Sequence, residues 1–466
     1  MLFQFLSLFP ILFLLNGLPK HENNKITSPI LYKKVMVPEG LRTVSHELEY
    51  GGDVRIGDLQ NNGEVDLLVY RAAAFQDGGA CQPSFLGAFT QNGKILWTKG
   101  KGGFQPNRPG PVAIYDIDAD GKTEVICLFT EHPETVESHS MKNVSIMILD
   151  GETGNIKQQA SPPQLTSSTG EGPNWVHQRI FICNLSGHKT PQDFIIKLGT
   201  KIIAFNQNLE VLWNYENEWD EYQNCPAYIP CVGDMDGDGL DEINGGYFIL
   251  DASGKPVWEK KLGKNMDSVA IDFWDSKTEK RAFGSGFGYV LDKQGNTILK
   301  LGEELVPHGQ ELRVGDFDIN SPGNEMIIRY NGHFEQVLLV GNSGKILSRF
   351  DLNFSPNNTG MEVVFWNGHE KEALLYNGGM LWKGDGSQSC KLPGLPQETG
   401  NKRQGWYHCI PANITGDECE EVLAYNPWST EIFIFTQKGS DSKKFHGYSA
   451  TPRQYNARLM LSLIHI

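Results

Sequence analysis

The sequence predicts an all-β protein built as a single β-propeller of eight blades, or of seven if one unit is an insertion. One unit, consisting of an apolar strand, an Asp/Asn/Gly-rich loop and a second apolar strand, recurs eight times along most of the 466 residues. Most units are followed by a second hairpin, and no amphipathic helix of three turns interrupts the pattern. Four short strands in each repeat are typical of a propeller blade rather than of a sandwich or a solenoid.

The repeated units can be followed in chain order. Their first strands begin near Asp53, Pro111, Gln178, Ile229, Ser268, Glu311, Glu362 and His408. The second hairpins turn at Ser-Gly steps, as in Asn342–Gly344 and Ala252–Gly254. A step of this kind between two alternating apolar runs is a strong local signal for a hairpin. The segment Leu31–Tyr50 is expected to add an outer strand to the last blade and so close the ring.

The two chain ends are predicted to lie outside the propeller, which we place at residues 30–458. Residues 1–20 contain an apolar run from Leu2 to Leu15 that is too short to span a membrane. Such a run is typical of a signal peptide, and a buried N-terminal helix is the alternative. Residues 459–466 form a tail to which we assign no partner. Asn-x-Ser/Thr sequons, which agree with secretion, occur at Asn143, Asn184, Asn353, Asn357 and Asn413.

The net charge and the cysteines limit the classes of binding partner and the compartment that we expect for this protein. The net charge of −15 argues against nucleic acid and against an anionic membrane surface. An acidic glycan would therefore need a local basic pocket. The cysteines form no CxxC pair, and in an oxidising compartment Cys225 with Cys231 and Cys409 with Cys419 are plausible local disulfides. We expect a secreted, extracellular protein that acts as a monomer on an acidic polysaccharide or oligosaccharide.

The Asp-rich loops predict calcium binding. Two full loops and one looser loop supply the candidate ligands, which are Asp116, Asp118, Asp120 and Glu124, then Asp234, Asp236, Asp238 and Asp241, and finally Asp316, Asp318 and Asn320. Calcium takes six to eight oxygen ligands in flexible geometry, and alternate acidic positions around a glycine turn can supply them. The alternative is a solvated Asp/Gly turn without an ion. If calcium binds, we expect it to hold the blades together rather than to take part in catalysis.

The Asp-rich loop joins the end of the first strand of each unit to the start of the second. The start of the first strand and the end of the second strand therefore lie together on the opposite face of the propeller, and we expect other polar residues there. Four histidines there are candidate catalytic residues, namely His132, His177, His308 and His408. We predict that substrate is bound by Arg71, Arg179, Arg329, Tyr330, Asn331, His333, Trp406, Tyr407 and Tyr425. Histidine carries protons near neutral pH, arginine clamps carboxylates, and aromatic rings offer flat faces to sugars. The same face collects the acids Glu131, Asp267, Glu311 and Glu362.

Several sequence blocks resemble a known group of proteins. They are Trp175–Arg179, His308–Glu311, Met326–His333, Pro356–Glu362 and Gly405–His408. The blocks resemble secreted propellers related to polysaccharide lyases. This group includes the rhamnogalacturonan lyases with eight-bladed calcium propellers, and the L-rhamnose-α-1,4-D-glucuronate lyases that act on gum arabic-like chains. The resemblance extends from about Tyr50 to Arg458, whereas the Asp-rich loops are also shared by integrin-like FG-GAP repeats.

The resemblance implies β-elimination at a uronate. In that reaction a cation neutralises the carboxylate, a base removes the C5 proton and an acid protonates the departing O4. Among the candidates, His132 and His177 are our first choices for the base, with Arg179 or Arg71 on the carboxylate.

Two other functions fit the same residues. A non-catalytic, FG-GAP-like propeller that binds glycans or matrix proteins would use the same face for recognition alone. A hydrolase would need paired carboxylates, for which Glu131, Asp267, Glu311 and Glu362 are available.

Overall fold

The computed structural model describes residues 25–45, 47–73, 82–105, 110–135, 137, 139–219, 224–352, 360–398, 406–417, 419–439, 447–448, 450 and 456. These residues form eight four-stranded antiparallel sheets and one separate two-stranded hairpin. The predicted all-β propeller with eight blades is therefore confirmed. The predicted signal peptide and tail lie outside the described residues.

The strands follow the predicted order. The chain enters through β1 (Pro29–Met36), a 3-10 turn (Glu39–Leu41) and the hairpin of β2 (Thr43–Ser45) and β3 (Leu48–Tyr50). Blade 1 consists of β4 (Asp53–Gly57), β5 (Asp66–Ala72), β6 (Pro83–Thr90) and β7 (Ile95–Gly100). Blade 2 consists of β8 (Val112–Tyr115), β9 (Glu124–Phe129), β10 (Ser145–Asp150) and β11 (Ile156–Ala160), with a 3-10 turn at Pro133–Thr135. Two short helices, α1 (Pro163–Thr166) and α2 (Gly172–Val176), lead to blade 3.

The remaining blades repeat the arrangement. Blade 3 consists of β12 (Arg179–Cys183), β13 (Asp193–Leu198), β14 (Lys201–Asn206) and β15 (Val211–Glu216). Blade 4 consists of β16 (Cys231–Gly233), β17 (Glu242–Asn244), β18 (Phe248–Leu250) and β19 (Pro256–Glu259). Blade 5 consists of β20 (Val269–Phe273), β21 (Lys280–Gly284), β22 (Tyr289–Leu291) and β23 (Thr297–Lys300). Blade 6 consists of β24 (Glu311–Gly315), β25 (Glu325–Arg329), β26 (Gln336–Val340) and β27 (Ile346–Asp351). Blade 7 consists of β28 (Glu362–Val364), β29 (Leu374–Asn377), β30 (Met380–Lys383) and β31 (Ser389–Lys391). Blade 8 consists of β32 (His408–Ala412), β33 (Glu421–Tyr425), β34 (Glu431–Gln437) and β1.

The first strand of each blade lies next to the central axis, because the first strands of neighbouring blades contact one another. Second strands are covered on both faces by the adjacent blades, and β5 and β13 are buried along their whole lengths. Their sequences are accordingly continuous apolar runs, as in Leu67–Val69 and Phe194–Ile196. Fourth strands such as β19 lie at the rim and are largely exposed.

The ring is closed by the N-terminal strand. β1 pairs antiparallel with β34, so blade 8 is built from both ends of the described chain. The predicted closing segment, Leu31–Tyr50, is confirmed for its first part only. Residues 43–50 instead form the hairpin of β2 and β3, which pairs with itself.

The predicted disulfides are not formed in the described structure. No disulfide joins Cys225 to Cys231 or Cys409 to Cys419. Cys409 lies in β32 at the end that pairs with β33 near Tyr425, whereas Cys419 lies in the loop at the other end of that hairpin. The strand between them separates the two sulfurs. Among the described residues, no helix is long and apolar enough to span a membrane.

Candidate functional site

The registers of the first hairpins define the two faces of the propeller. At one end they pair Asp53 with Tyr70, Arg179 with Lys197, Glu311 with Arg329 and His408 with Tyr425. We call this end the mouth face. At the other end, which we call the loop face, the pairs include Tyr115 with Glu124 and Gly315 with Glu325, next to the Asp-rich loops. The two sets of residues therefore lie on opposite faces.

The three predicted substrate-binding arginines are buried and bonded to backbone carbonyls. Arg71 donates to the carbonyls of Gly102, Leu41 and Gly51, each at 2.8 Å. Burial lowers the pKa of the Arg71 guanidinium to about 10. Arg179 donates to the Gln178 carbonyl at 2.8 Å, and it is fully buried. Both guanidiniums are therefore bonded within the protein and do not face solvent.

The third arginine, Arg329, belongs to a buried charge cluster. Its Nη1 donates to the Phe334 carbonyl at 3.0 Å, and its Nε lies 3.5 Å from a carboxylate oxygen of Glu311. Arg313 lies 3.7 Å from Glu311 and 3.8 Å from Glu362. Burial lowers the pKa of Arg329, and the charge of Glu311 opposes that shift. Two of the four acids that a hydrolase could use, Glu311 and Glu362, are thus paired with arginines of blade 6.

Three of the aromatic candidates, Trp406, Tyr407 and Tyr425, are also buried, and so are two of the histidines. His177 stacks on Tyr228, with ring centroids 5.2 Å apart. His408 lies between the rings of Trp406 and Tyr425, at 4.2 Å and 5.5 Å. Tyr407, also buried, accepts a hydrogen bond on its carbonyl from the Tyr376 hydroxyl. Their packing is that of core residues of blades 3, 7 and 8.

Tyr425 takes part in a buried network that joins blade 8 to blade 1. Its hydroxyl donates to one carboxylate oxygen of Asp53 at 2.6 Å, and the hydroxyl of Tyr70 donates to the other at 2.6 Å. Arg55 lies 3.1 Å from the same carboxylate. The sequence analysis predicted that Tyr425 binds substrate, and it assigned no role to Asp53 or Arg55. The network closes the ring at the axis.

A different histidine environment is found at His308, between blades 5 and 6. Its side chain is 40% exposed, and its Nε2 lies 2.9 Å from Oδ2 of Asp267, which is fully buried. The side-chain amide of Asn265 donates to the other oxygen of Asp267. The backbone N–H of His308 donates to the Tyr330 carbonyl, and the Gly332 N–H donates to the His308 carbonyl. The position of His308 is thus fixed by the contact of its imidazole with Asp267 and by two backbone hydrogen bonds.

This arrangement suits proton transfer. Burial raises the pKa of Asp267, and the hydrogen bond to His308 opposes that shift. A carboxylate that accepts from Nε2–H fixes the tautomer and leaves the lone pair on Nδ1 of His308. The charge of His333 also acts on Asp267, so this second histidine lies nearby. Tyr330, Asn331 and His333 are all partly exposed.

His132 is more exposed to solvent than His308. Its side chain is 72% exposed, and its Nδ1 lies 3.3 Å from the carboxylate of Glu134, which is 68% exposed. The structure therefore places the four candidate catalytic histidines in three environments: exposed for His132, buried for His177 and His408, and half-exposed against a buried acid for His308. Asp267 and Asn265 complete the last arrangement. The sequence analysis placed Asp267 on this face without pairing it with a histidine.

Arg349 is a further polar residue, beside Tyr330, that the sequence did not single out. It is exposed on β27, and its guanidinium lies 5.9 Å from the centre of the Tyr330 ring. β27 is the outer strand of blade 6, and a single exposed arginine on such a strand carries no sequence signal. Its position beside the partly exposed Tyr330 becomes apparent only from the fold.

On the loop face, two carboxylate clusters could hold a metal ion. Ligand oxygens of Asp116, Asp118 and Glu124 lie within 4.8 Å of one another, and so do those of Asp234, Asp236 and Glu242. Glu242 takes the place predicted for Asp241, whose carboxylate accepts from the Asn184 backbone instead.

The other predicted ligands of the two full loops have additional contacts. Asp120 lies 3.3 Å from the Lys157 ammonium, and Asp238 accepts from the Leu240 N–H at 2.8 Å. In the looser loop, Asp318 accepts from both the backbone and the side chain of Asn320, and Asp316 lies at the start of the turn. Oxygen donors of this kind suit calcium.

Comparison with known proteins identifies the fold. No family model matches the chain, and no curated protein matches it. Rhamnogalacturonan lyase YesW is 18% identical with a TM-score of 0.62, over 87% of this chain and 75% of that chain. The exotype rhamnogalacturonan lyase YesX is 18% identical with a TM-score of 0.63, over 87% and 76%. Bacillus licheniformis rhamnogalacturonan lyase PL11 is 18% identical with a TM-score of 0.61, over 89% and 76%. The resemblance to propeller polysaccharide lyases is therefore confirmed for the fold.

Proposed function

We propose that this protein is a secreted polysaccharide lyase that cleaves a uronate-containing glycan, of rhamnose–glucuronate or rhamnogalacturonan type, by β-elimination. The observation that carries the proposal is the half-exposed His308, whose Nε2 lies 2.9 Å from the buried Asp267. The fold shared with rhamnogalacturonan lyases supports the same reaction class. The −15 net charge makes a local cation necessary for an acidic chain to bind.

In this proposal His308 is the base. Its Nδ1 takes the proton from C5 of the uronate, and the C5–H electron pair forms the C4=C5 double bond. The C4–O4 bond breaks, and its electron pair leaves with O4, which takes a proton from an acid. The ion-paired Asp267 stabilises the imidazolium that forms in this step. The partly exposed Tyr330 and His333 are the residues we assign to the acid role.

The uronate carboxylate needs a positive partner, because removal of the C5 proton places negative charge beside it. The buried guanidiniums of Arg71, Arg179 and Arg329 are engaged with carbonyls and with Glu311. We therefore assign this role to the exposed Arg349 beside Tyr330. Guanidinium groups bind carboxylates in a bidentate manner and stay charged at working pH.

Calcium has a structural role in this proposal. The Asp-rich loops lie at the other end of the first hairpins from the site of His308, so an ion bound there would act on blade packing. When bound, it would supply a positive charge that holds carboxylates together. The proton transfers at the mouth face are assigned to side chains of this chain alone.

The proposal predicts a specific product signal. Incubation with gum arabic or with rhamnogalacturonan should raise the ultraviolet absorbance, because elimination creates a C4=C5 double bond conjugated to the carboxylate. The polymer that responds identifies the substrate class. If neither polymer responds although one of them binds in calorimetry, the protein is a glycan-binding propeller and the proposal is wrong.

A further inference from the structure

In several blades the first residue of the second strand is an acid, and this acid makes the same hydrogen bond in each of them. One of its oxygens caps the backbone of the Asp-rich loop, as when Glu124 accepts from the Ile117 N–H at 3.0 Å. Glu242 accepts in the same way from Met235 at 2.8 Å, and Glu325 from Phe317 at 2.9 Å. The loop is thus anchored to the sheet by one oxygen of this acid, and the second oxygen can accept from another donor.

Neutral side chains satisfy that second oxygen in three blades. The amide of Gln60 donates to Asp66 in blade 1, and the hydroxyl of Ser186 donates to Asp193 in blade 3. In blade 8 the hydroxyl of Thr436 donates to Glu421 at 2.9 Å. These loops are closed by donors from the protein itself.

In blade 2 the donor is a cation. The Lys157 ammonium lies 2.8 Å from Oε1 of Glu124, 2.7 Å from Asp118 and 3.3 Å from Asp120. Asp116 meanwhile accepts from the backbone N–H groups of Asp120 and Gly121. One ammonium group therefore joins three carboxylates at the cluster that could hold a metal ion.

Blade 4 has the same arrangement, but the lysine comes from elsewhere. Lys293 belongs to the second hairpin of blade 5, and its ammonium lies 2.6 Å from Asp236 and 2.7 Å from Oε1 of Glu242. Lys157 belongs to the fourth strand of its own blade. Two different positions in the repeat thus place an ammonium group against equivalent carboxylates, as expected if the loops of blades 2 and 4 each need a positive charge.

We propose that Lys157 and Lys293 are built-in cations that take the place of calcium in the loops of blades 2 and 4. Each ammonium group contacts the oxygens that a calcium ion would need, so lysine and ion compete for one position. An ammonium group donates only three hydrogen bonds, which matches the two or three carboxylates that it contacts. This confines the calcium proposal to the loop of Asp316 and Asp318, where Glu325 accepts hydrogen bonds from the backbone N–H groups of Phe317 and Asp318.

The test is to count calcium ions. Purified wild type, Lys157→Met and Lys293→Met are dialysed against calcium chloride, and bound metal is measured by mass spectrometry and by calorimetry. Methionine keeps the aliphatic length without the charge. We expect each variant to bind about one calcium ion more per chain than wild type. In chelator we expect each variant to unfold at a lower temperature than wild type, and calcium should restore it.

Two controls separate this effect from general damage. Lys94→Met removes an exposed lysine from a hairpin of blade 1 and should change neither the ion count nor the unfolding temperature. Lys157→Arg keeps a positive charge and should bind no additional ion. The proposal is overturned if wild type and the methionine variants bind the same number of ions. It is also overturned if the variants lose stability that calcium does not restore. Because these readouts involve no substrate, they are independent of the proposed lyase function.

Discussion

The His308→Ala variant is expected to lose β-elimination activity by about a hundredfold to ten-thousandfold, the range for removal of a general base. Its unfolding temperature should fall moderately, because the buried Asp267 loses one partner but keeps the hydrogen bond from Asn265. The initial rate of ultraviolet absorbance increase, at saturating and at low glycan concentration, measures the loss. We expect the loss mainly in kcat, since the imidazole acts on the C5 proton in the transition state.

The matched control is His132→Ala. This side chain is 72% exposed and contacts Glu134 outside the His308 site, so the variant should keep the wild-type rate. Asp267→Asn should lose most of the activity as well, because an amide does not fix the tautomer or stabilise the imidazolium as a carboxylate does. A full rate in His308→Ala, or a large loss in His132→Ala alone, would show that the base is misassigned.

Asp53→Ala is expected to give the largest loss of stability, about 3–5 kcal/mol in the free energy of unfolding. The carboxylate is buried and accepts from Tyr70 and Tyr425, each at 2.6 Å. It is also the carboxylate paired with the buried Arg55 guanidinium, 3.1 Å away. Its removal leaves a buried positive charge without that partner and breaks the contact between blades 1 and 8.

Chemical denaturation measures this loss, with Tyr425→Phe as the comparison. That variant removes one hydroxyl from the network and keeps the charge pair, so it should cost about 1 kcal/mol. Asp53→Ala and Tyr425→Phe with equal, small effects would mean that the network does not close the ring. Glycan cleavage by Tyr425→Phe should remain near wild type, because the hydroxyl is buried and bonded to Asp53.

The fold could be predicted from the sequence because the blade repeat is encoded locally. Runs such as Phe194–Ile196 and turns such as Asn342–Gly344 each determine a strand or a hairpin within a few residues. The assignment of residues to two faces followed from strand direction alone. The closing strand was found, but the self-pairing of residues 43–50 was not, because short polar strands carry a weak pattern.

The site itself was harder to predict, because burial at the mouth face depends on contacts between blades. Strand position places Arg179 and His308 at equivalent ends of their hairpins, yet one is fully buried and the other is half-exposed. The pairing of His308 with Asp267 joins residues 41 positions apart in neighbouring blades. Lys293 likewise reaches Glu242 from 51 positions away, and a motif within one loop cannot reveal such a partner.

The most direct test of the proposed elimination is the mass of the oligosaccharides released from gum arabic and rhamnogalacturonan. Elimination should leave an unsaturated uronate at each new non-reducing end, lighter by one water molecule than the corresponding hydrolysis product. Such ends, formed by wild type and lost in His308→Ala, would support the assignment of the reaction and of its base. Saturated ends would show that the protein is a hydrolase, and intact polymers would show that it cleaves neither glycan.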